Sequence, residues 1–299
     1  MLIADEVGLG KTIEATYIWK ELQARQDARR LLVVCPSFLR EKWRSDLQKR
    51  FNIVGEIISA KDLLQKITDV ERGGSSSSFV YIASLESLRP PPDFEEESKT
   101  STRARFARLL DQNVASDDFV LFDLVILDEA HYLRNPSTGN NRLGRLLREA
   151  ARHLVLLTAT PIQIASDNLY QLLRLIDPEE FHDSGLFGEM LKSNAPIVAA
   201  LRSLWRLPPD VTSATQAISA ALESAYFKGD AVLQRIKDQV PLIATDPNLR
   251  IELARYAEAT APSEPGWRCQ GESRRRTLVR RLPEKSLPQR RPNVSSVDG

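Results

Sequence analysis

The stretch Asp5-Glu6-Val7-Gly8-Leu9-Gly10-Lys11-Thr12 decides how the rest of this 299-residue sequence is interpreted. A short apolar run, Leu2-Ile3-Ala4, precedes it, and an amphipathic helical pattern follows it. The apolar face of that helix comprises Ala15, Ile18 and Leu22. A strand, a glycine-rich turn, a Lys-Thr pair and a helix are the arrangement that cradles phosphate groups.

The chemistry of this turn assigns a role to each residue type. Glycines let backbone N–H groups approach phosphate oxygens, and the helix N-terminus adds a positive dipole end. Lys11 is predicted to reach the β- and γ-phosphates, and the Thr12 hydroxyl to ligate Mg²⁺. Asp5 stands where the general pattern has its first glycine, so a glycine-rich turn that only caps a helix is the alternative. The predicted nucleotide-binding residues are Gly8, Leu9, Gly10, Lys11 and Thr12.

A second segment, Asp128-Glu129-Ala130-His131, directly follows the apolar run Leu124-Val125-Ile126-Leu127. A carboxylate after a buried strand faces the crevice where α/β sheets bind ligands. Asp128 is therefore predicted to hold Mg²⁺ through water, and Glu129 to orient or deprotonate an attacking water. The alternatives are a helix N-cap with an acidic first turn and, for His131, an ordinary surface histidine.

A third segment, Leu157-Thr158-Ala159-Thr160-Pro161-Ile162-Gln163, also follows an apolar run. Its hydroxyls are predicted to link the Mg²⁺ site to a second ligand, and an ordinary strand-to-helix turn is the alternative. The predicted coupling residues are His131, Thr158, Thr160 and Gln163.

The remaining pattern predicts the fold. Apolar runs at 31–36, 79–83, 124–127 and 154–157 lack polar alternation, as strands buried on both faces do. Helical spacing lies between them, so we predict a doubly wound, mostly parallel α/β sheet. The residues with helical spacing are Trp43, Leu47 and Phe51, and then Leu169, Leu172, Leu173 and Ile176.

The pattern divides the chain into three parts: an α/β lobe over 1–180, a helical segment over 181–260 and a tail over 261–299. The predicted helices of the second part are 196–205, 215–227, 231–240 and 247–259. The tail holds nine basic and four acidic residues with no apolar period, so we predict that it is disordered. A basic nucleic-acid arm is its functional alternative.

Composition limits the class of protein. Hydrophobic residues make up 42% and charged residues 27%, which excludes wholesale disorder. The net charge of +1 gives no global basic field, and two cysteines exclude a disulfide scaffold. No apolar run approaches the roughly 20 residues that span a bilayer, and the N-terminus lacks signal-peptide character. These observations predict a cytoplasmic protein with no membrane partner.

Together the three segments resemble the first RecA-like lobe of superfamily-two DEAH-box helicases, in particular the Swi/Snf-type ATPases. That family includes bacterial members associated with RNA polymerase or phage defence, and it commonly has Asp in place of the first glycine. Val34-Cys35-Pro36-Ser37, with Leu39 and Trp43, looks like its motif Ia, and Tyr81-Ile82-Ala83-Ser84-Leu85 looks like its motif Ib. Tyr132-Leu133-Arg134-Asn135 looks like the segment after its acidic box, so the resemblance covers about residues 2–180.

The resemblance implies ATP and Mg²⁺ as cofactors, and a motor that moves along double-stranded DNA in a nucleoid-associated setting. It makes Ser37 and Ser84 candidate contacts to the DNA backbone. A second-lobe protein, or a polymerase or defence complex, is the implied protein partner. The helical segment resembles an insertion that packs on the lobe, with contact to DNA or a partner as the alternative.

The sequence also departs from the family. The adenine-reading segment expected before the phosphate loop is missing, and the tail is unsuited to form the second lobe with its arginine fingers. We therefore expect an ATP-binding lobe with weak hydrolysis and no translocation by itself. One hypothesis is a gene fragment with a late start and a frameshift near Ala261, and the other is a short protein with a basic tail. A nucleotide- or DNA-binding module and a non-functional remnant remain the alternative functions.

Overall fold

A six-stranded parallel sheet forms the centre of the computed structural model, which describes residues 1–4, 10–73, 78–114, 120–158, 166–206, 208–224, 227–241, 267–270 and 277–280. The strand order is β1-β6-β5-β2-β4-β3, and every neighbouring pair is parallel. This confirms the predicted doubly wound α/β fold. The strands are β1 (Leu2–Ala4), β2 (Arg30–Cys35), β3 (Glu56–Ile57), β4 (Phe79–Ser84), β5 (Phe122–Leu127) and β6 (Ala151–Thr158).

Helices cover both faces of this sheet. The helices of the lobe are α1 (Lys11–Gln26), α2 (Arg40–Phe51), α3 (Ala60–Gly73), α4 (Leu85–Leu88), α5 (Thr102–Gln112), α6 (Gly139–Glu149) and α7 (Ser166–Ile176). Short 3-10 helices span Ser37–Leu39 and Ala130–Leu133. Asp27 and Asn52 end α1 and α2 in the left-handed conformation, where short polar side chains are tolerated.

Alternate residues of each strand enter two separate cores. In β2, Leu32 and Val34 pack with side chains of α3, α5, α6 and α7, whereas Leu31 and Val33 pack with those of α1 and α2. The strands are therefore buried on both faces, as their uninterrupted apolar runs predict. Each large apolar side chain buried in this way contributes about 1.5–3 kcal/mol to stability.

The helical segment has a core of its own. It consists of α8 (Ser184–Leu204), α9 (Val211–Glu223) and α10 (Ala231–Gln239), which bury residues such as Ile197 and Ile218 against one another. The start of α8 joins the lobe core, where Phe187 packs 5.5 Å from Tyr170, centroid to centroid. Among the described residues, α9 and α10 thus bury their apolar side chains in a core separate from that of the lobe.

The helix predicted over 196–205 begins earlier than predicted. Pro196 lies inside the helix, which begins twelve residues earlier after Asp183, whose carboxylate accepts hydrogen bonds from Gly185 and Leu186 N–H. Proline removes one backbone donor, yet the buried face that begins at Ile197 keeps the helix continuous. The helix predicted over 247–259 lies outside the described residues.

Two segments of the tail are described. β7 (Trp267–Gln270) and β8 (Thr277–Arg280) pair antiparallel, with Trp267 opposite Arg280. The structure differs here from the expected disorder, because Thr277-Leu278-Val279 carries strand propensity among the arginines. The other tail residues lie outside the described ranges, so disorder there stays a prediction. Among the described helices, none is long and apolar enough to cross a membrane.

Candidate nucleotide-binding site

The residues predicted to form the site follow five neighbouring strands at one edge of the sheet. Because β1, β6, β5, β2 and β4 are parallel, their carboxyl ends share that edge. Ala4, the last residue of β1, lies opposite Thr158, the last residue of β6. Cys35 and Ser84 end β2 and β4 opposite each other, and Asp128 directly follows β5. The topology thus places the described residues of the predicted segments at the carboxyl edge of the sheet.

Gly10 is the one glycine of the predicted phosphate-binding turn that lies within the described residues. This residue has φ 90° and ψ 24°, a left-handed conformation that glycine adopts without strain. Its carbonyl oxygen accepts hydrogen bonds from the N–H groups of Ile13 (2.8 Å) and Glu14 (3.1 Å), which starts α1. Lys11 and Thr12 are consequently the first residues of the helix, where backbone N–H groups attract anions. Gly8 and Leu9 lie outside the described residues.

Asp128 is held by two neutral donors. Its own N–H donates to the carbonyl of Val34 (2.9 Å), which places the residue one step beyond the β5–β2 ladder. Oδ1 accepts from the N–H of Glu129 (2.8 Å), and Oδ2 accepts from Nε1 of Trp43 (2.8 Å). In the described part of the chain, none of the ion pairs involves Asp128. A carboxylate whose described partners are neutral donors is suited to binding a metal cation.

Sequence reasoning assigned no site role to the indole of Trp43. The residue satisfies the apolar period of α2 and is 1% exposed, so the pattern predicts only a core position. Two signals pointed to Trp43: its place in the segment that looks like motif Ia, and the tendency of a buried indole N–H to find a partner.

The thiol of Cys35 lies at the end of β2 near this carboxylate. Burial, with the negative charge of Asp128 as the second cause, raises the pKa of Cys35 to about 12. The thiol therefore stays protonated at neutral pH and packs as a small apolar side chain.

Glu129 has an unusual backbone conformation. Its φ of 52° and ψ of 47° are left-handed, which is costly for a residue with a Cβ and typical of functional sites. It is the N-cap residue of the 3-10 helix Ala130–Leu133, but its side chain accepts no hydrogen bond from that helix. Nδ1 of His131 lies 3.1 Å from Oε2 of Glu129 without hydrogen-bond alignment, and its ring packs 4.2 Å from that of Tyr132.

The third predicted segment is described only at Thr158. This residue is 1% exposed, and its Oγ1 has no hydrogen-bond partner. A buried hydroxyl without a partner is uncommon and unfavourable, so it needs a functional or structural explanation. Thr160 and Gln163 lie outside the described residues.

The two candidate DNA-contact residues differ in their surroundings. Ser37 is exposed, and its N–H donates to Oε2 of Glu86 (3.2 Å), so the segments after β2 and β4 adjoin. Ser84 is 5% exposed, and its hydroxyl caps α4 by accepting from the N–H of Ser87 (3.1 Å). Ser37 is thus accessible to solvent, whereas the hydroxyl of Ser84 already caps a helix.

The donor set fits magnesium. No cluster of three His, Cys, Asp or Glu side chains suited to a metal occurs within the described ranges. One carboxylate and one threonine hydroxyl are hard oxygen donors, and Mg²⁺ is usually bound by few protein ligands together with water and substrate phosphates. The site therefore suits a cation that arrives with a nucleotide.

Comparison with known proteins identifies the family. The model of the SNF2-related domain matches residues 1–248. The chain belongs to this family. The chain is similar to the RNA polymerase-associated protein RapA of Vibrio parahaemolyticus serotype O3:K6 (strain RIMD 2210633), which is 32% identical over 208 residues. RapA of Photobacterium profundum is 31% identical over 207 residues.

These matches cover 69% and 68% of this SNF2-related chain but only 19% of each RapA protein, so the chain spans about a fifth of the length of these curated relatives. Among solved structures, it is similar to the Sulfolobus solfataricus SWI2/SNF2 ATPase core in complex with dsDNA. That similarity has a TM-score of 0.42 and 17% identity, and it covers 60% of this chain and 31% of the other.

Proposed function

We propose that this chain is the ATP-binding lobe of a DNA-dependent ATPase, and that it hydrolyses ATP to move on double-stranded DNA when a second lobe completes the site. The observation that carries the proposal is the placement of two segments. Lys11 and Thr12 open α1 beyond β1, and Asp128 and Glu129 directly follow β5, at the same sheet edge. Membership of the SNF2-related family supports the same activity.

The side chains have distinct proposed roles. Lys11 binds the β- and γ-phosphates, while Thr12 and Asp128 hold Mg²⁺, Asp128 through a water molecule. The bound cation neutralises phosphate charge. Glu129 orients or deprotonates the attacking water, and His131 and Thr158 relay the state of the site to a second ligand.

The whole protein's partners are part of the proposal. The RapA relatives are named as RNA polymerase-associated, so a polymerase is one proposed partner beside double-stranded DNA. An arginine from a second lobe would stabilise charge on the transferring phosphoryl group, a contribution of about 10³–10⁵ in rate. Without it we expect slow hydrolysis by this chain, and a cytoplasmic location is expected for a protein with these partners.

Binding of a fluorescent ATP analogue tests the proposal. Lys11→Ala should weaken binding about tenfold or more, because it removes a cation next to the phosphates. Lys20→Ala, an exposed position on the same helix, should leave binding unchanged. Equal effects of the two substitutions would contradict the assigned role of Lys11, and a wild-type chain that binds no nucleotide would favour the remnant hypothesis.

The need for a second lobe has its own test. The turnover of the isolated chain should stay low with and without double-stranded DNA, and it should rise when a second RecA-like lobe is supplied. DNA-stimulated turnover by the chain alone would contradict this part of the proposal.

A further inference from the structure

Two buried tryptophans lie in the same core but differ in the surroundings of their indole nitrogens. Trp19 on α1 is 0% exposed and Trp43 on α2 is 1% exposed, and both belong to the core on one face of the sheet. Nε1 of Trp43 donates to Oδ2 of Asp128 (2.8 Å), whereas Nε1 of Trp19 has no hydrogen-bond partner. Of the two indole N–H groups, only that of Trp43 therefore bonds to a residue at the carboxyl edge of the sheet.

The hydrogen bond from Trp43 fixes the orientation of the Asp128 carboxylate together with a backbone donor. The N–H of Glu129 holds Oδ1 from the backbone, and the indole holds Oδ2 from the core. The terminal torsion of an aspartate is broad by itself, so donors at both oxygens fix the plane of the group. A hydrogen bond to an ionised acceptor is also about twice as strong as one between neutral groups.

We propose that Trp43 is a positioning residue whose indole N–H holds the Asp128 carboxylate in the orientation that binds the hydrated Mg²⁺ of the nucleotide. The inference rests on the proposed function, since it assumes that this carboxylate faces a nucleotide-bound cation. Groups that orient a metal ligand typically change metal affinity about 10–100-fold when they are lost. The neutral indole leaves the charge of Asp128 available for the cation.

The matched pair Trp43→Phe and Trp19→Phe tests the inference. Each substitution removes the same atoms from the same core, and only the first removes a donor to Asp128. Binding of a fluorescent ATP analogue is titrated with Mg²⁺, and binding in EDTA is the reference. Trp43→Phe should raise the half-saturating Mg²⁺ concentration about tenfold or more, Trp19→Phe less than about twofold, and both should bind the analogue in EDTA as the wild type does.

Trp43→His separates positioning from packing. The imidazole places Nε2 at the ring position of the indole Nε1 and keeps an N–H in one tautomer, but it loses the second ring. We expect it to be less stable than Trp43→Phe in urea, yet to need less Mg²⁺. If Mg²⁺ dependence instead followed stability across the variants, or if the two phenylalanine variants behaved alike, the inference would be wrong. A wild-type chain that binds no analogue in EDTA or in Mg²⁺ would overturn the proposed function and this inference together.

Discussion

Asp123 and Arg30 meet at the amino ends of β5 and β2, on the side of the sheet opposite the candidate site. Oδ2 of Asp123 accepts hydrogen bonds from the backbone N–H groups of Arg30 and Arg29, each 2.8 Å long. Nε of Arg30 lies 3.7 Å from the same oxygen, a distance within ion-pair range but without a hydrogen bond. Arg30 is 6% and Asp123 8% exposed, so one carboxylate compensates two backbone donors and a buried cation.

Asp123→Ala should therefore lower the free energy of unfolding by about 3–5 kcal/mol, because it leaves a buried charge unpaired. Urea denaturation measures the loss. Glu41→Ala is the control, since Glu41 pairs with Arg44 at an exposed position and should cost less than about 1 kcal/mol. Similar losses for the two variants would show that the Asp123 contacts add little to stability.

A second prediction concerns the buried hydroxyl of Thr158, which has no hydrogen-bond partner. Thr158→Val removes a buried polar group and keeps the side-chain shape, so stability should stay the same or rise by about 1 kcal/mol. Nucleotide binding should persist, while DNA-stimulated turnover of the two-lobed protein should fall. The measurements are urea denaturation, analogue binding and phosphate release. A large loss of stability would mean that the hydroxyl has a structural partner, and unchanged turnover would argue against coupling.

The thiol of Cys35 should make stability depend on pH in the alkaline range. Burial raises its pKa from 9.0 to about 12, so the folded state holds the thiol proton more tightly than the unfolded state does. This stabilisation is complete below pH 9 and is lost as the pH rises from 9 to about 12. Stability should fall more between pH 8 and about 10.5 in the wild type than in Cys35→Ala.

The same thiol should be chemically protected in the native state. In a Cys269→Ser background, Cys35 should react slowly with a thiol reagent at pH 8 and rapidly in urea, because it is buried and protonated. Fast reaction of the native protein would contradict both the burial and the raised pKa.

The sequence predicts the lobe well because its strands are continuous apolar runs. Such runs are buried on both faces and leave few alternatives, so β2, β4, β5 and β6 agree with prediction to within about three residues at either end. The strand β3 escapes prediction because its two residues, Glu56 and Ile57, form no apolar run. Pro196 misleads because propensity favours a helix start there, whereas tertiary packing continues α8 through it.

For the candidate site, the sequence predicts which strands its residues follow but not their conformation. Motif order places Lys11 and Asp128 after strands that prove to share an edge. Nothing local predicts the left-handed backbone of Glu129 or the hydrogen bond from Trp43, since both depend on contacts between distant parts of the chain. These are the features that the surrounding fold imposes on the site.

Substitution of Glu129 should impair ATP hydrolysis without impairing nucleotide binding. Glu129→Gln keeps the size of the side chain and removes its charge, so it cannot accept the proton of an attacking water. We expect analogue binding within about threefold of the wild type, while kcat of the two-lobed protein falls about 10²–10⁴-fold. Glu149→Gln is the control, because that residue ends α6 at the amino end of β6 and pairs with Arg148. Loss of binding in Glu129→Gln would indicate a structural role for the carboxylate, and unchanged kcat would remove Glu129 from the hydrolytic step.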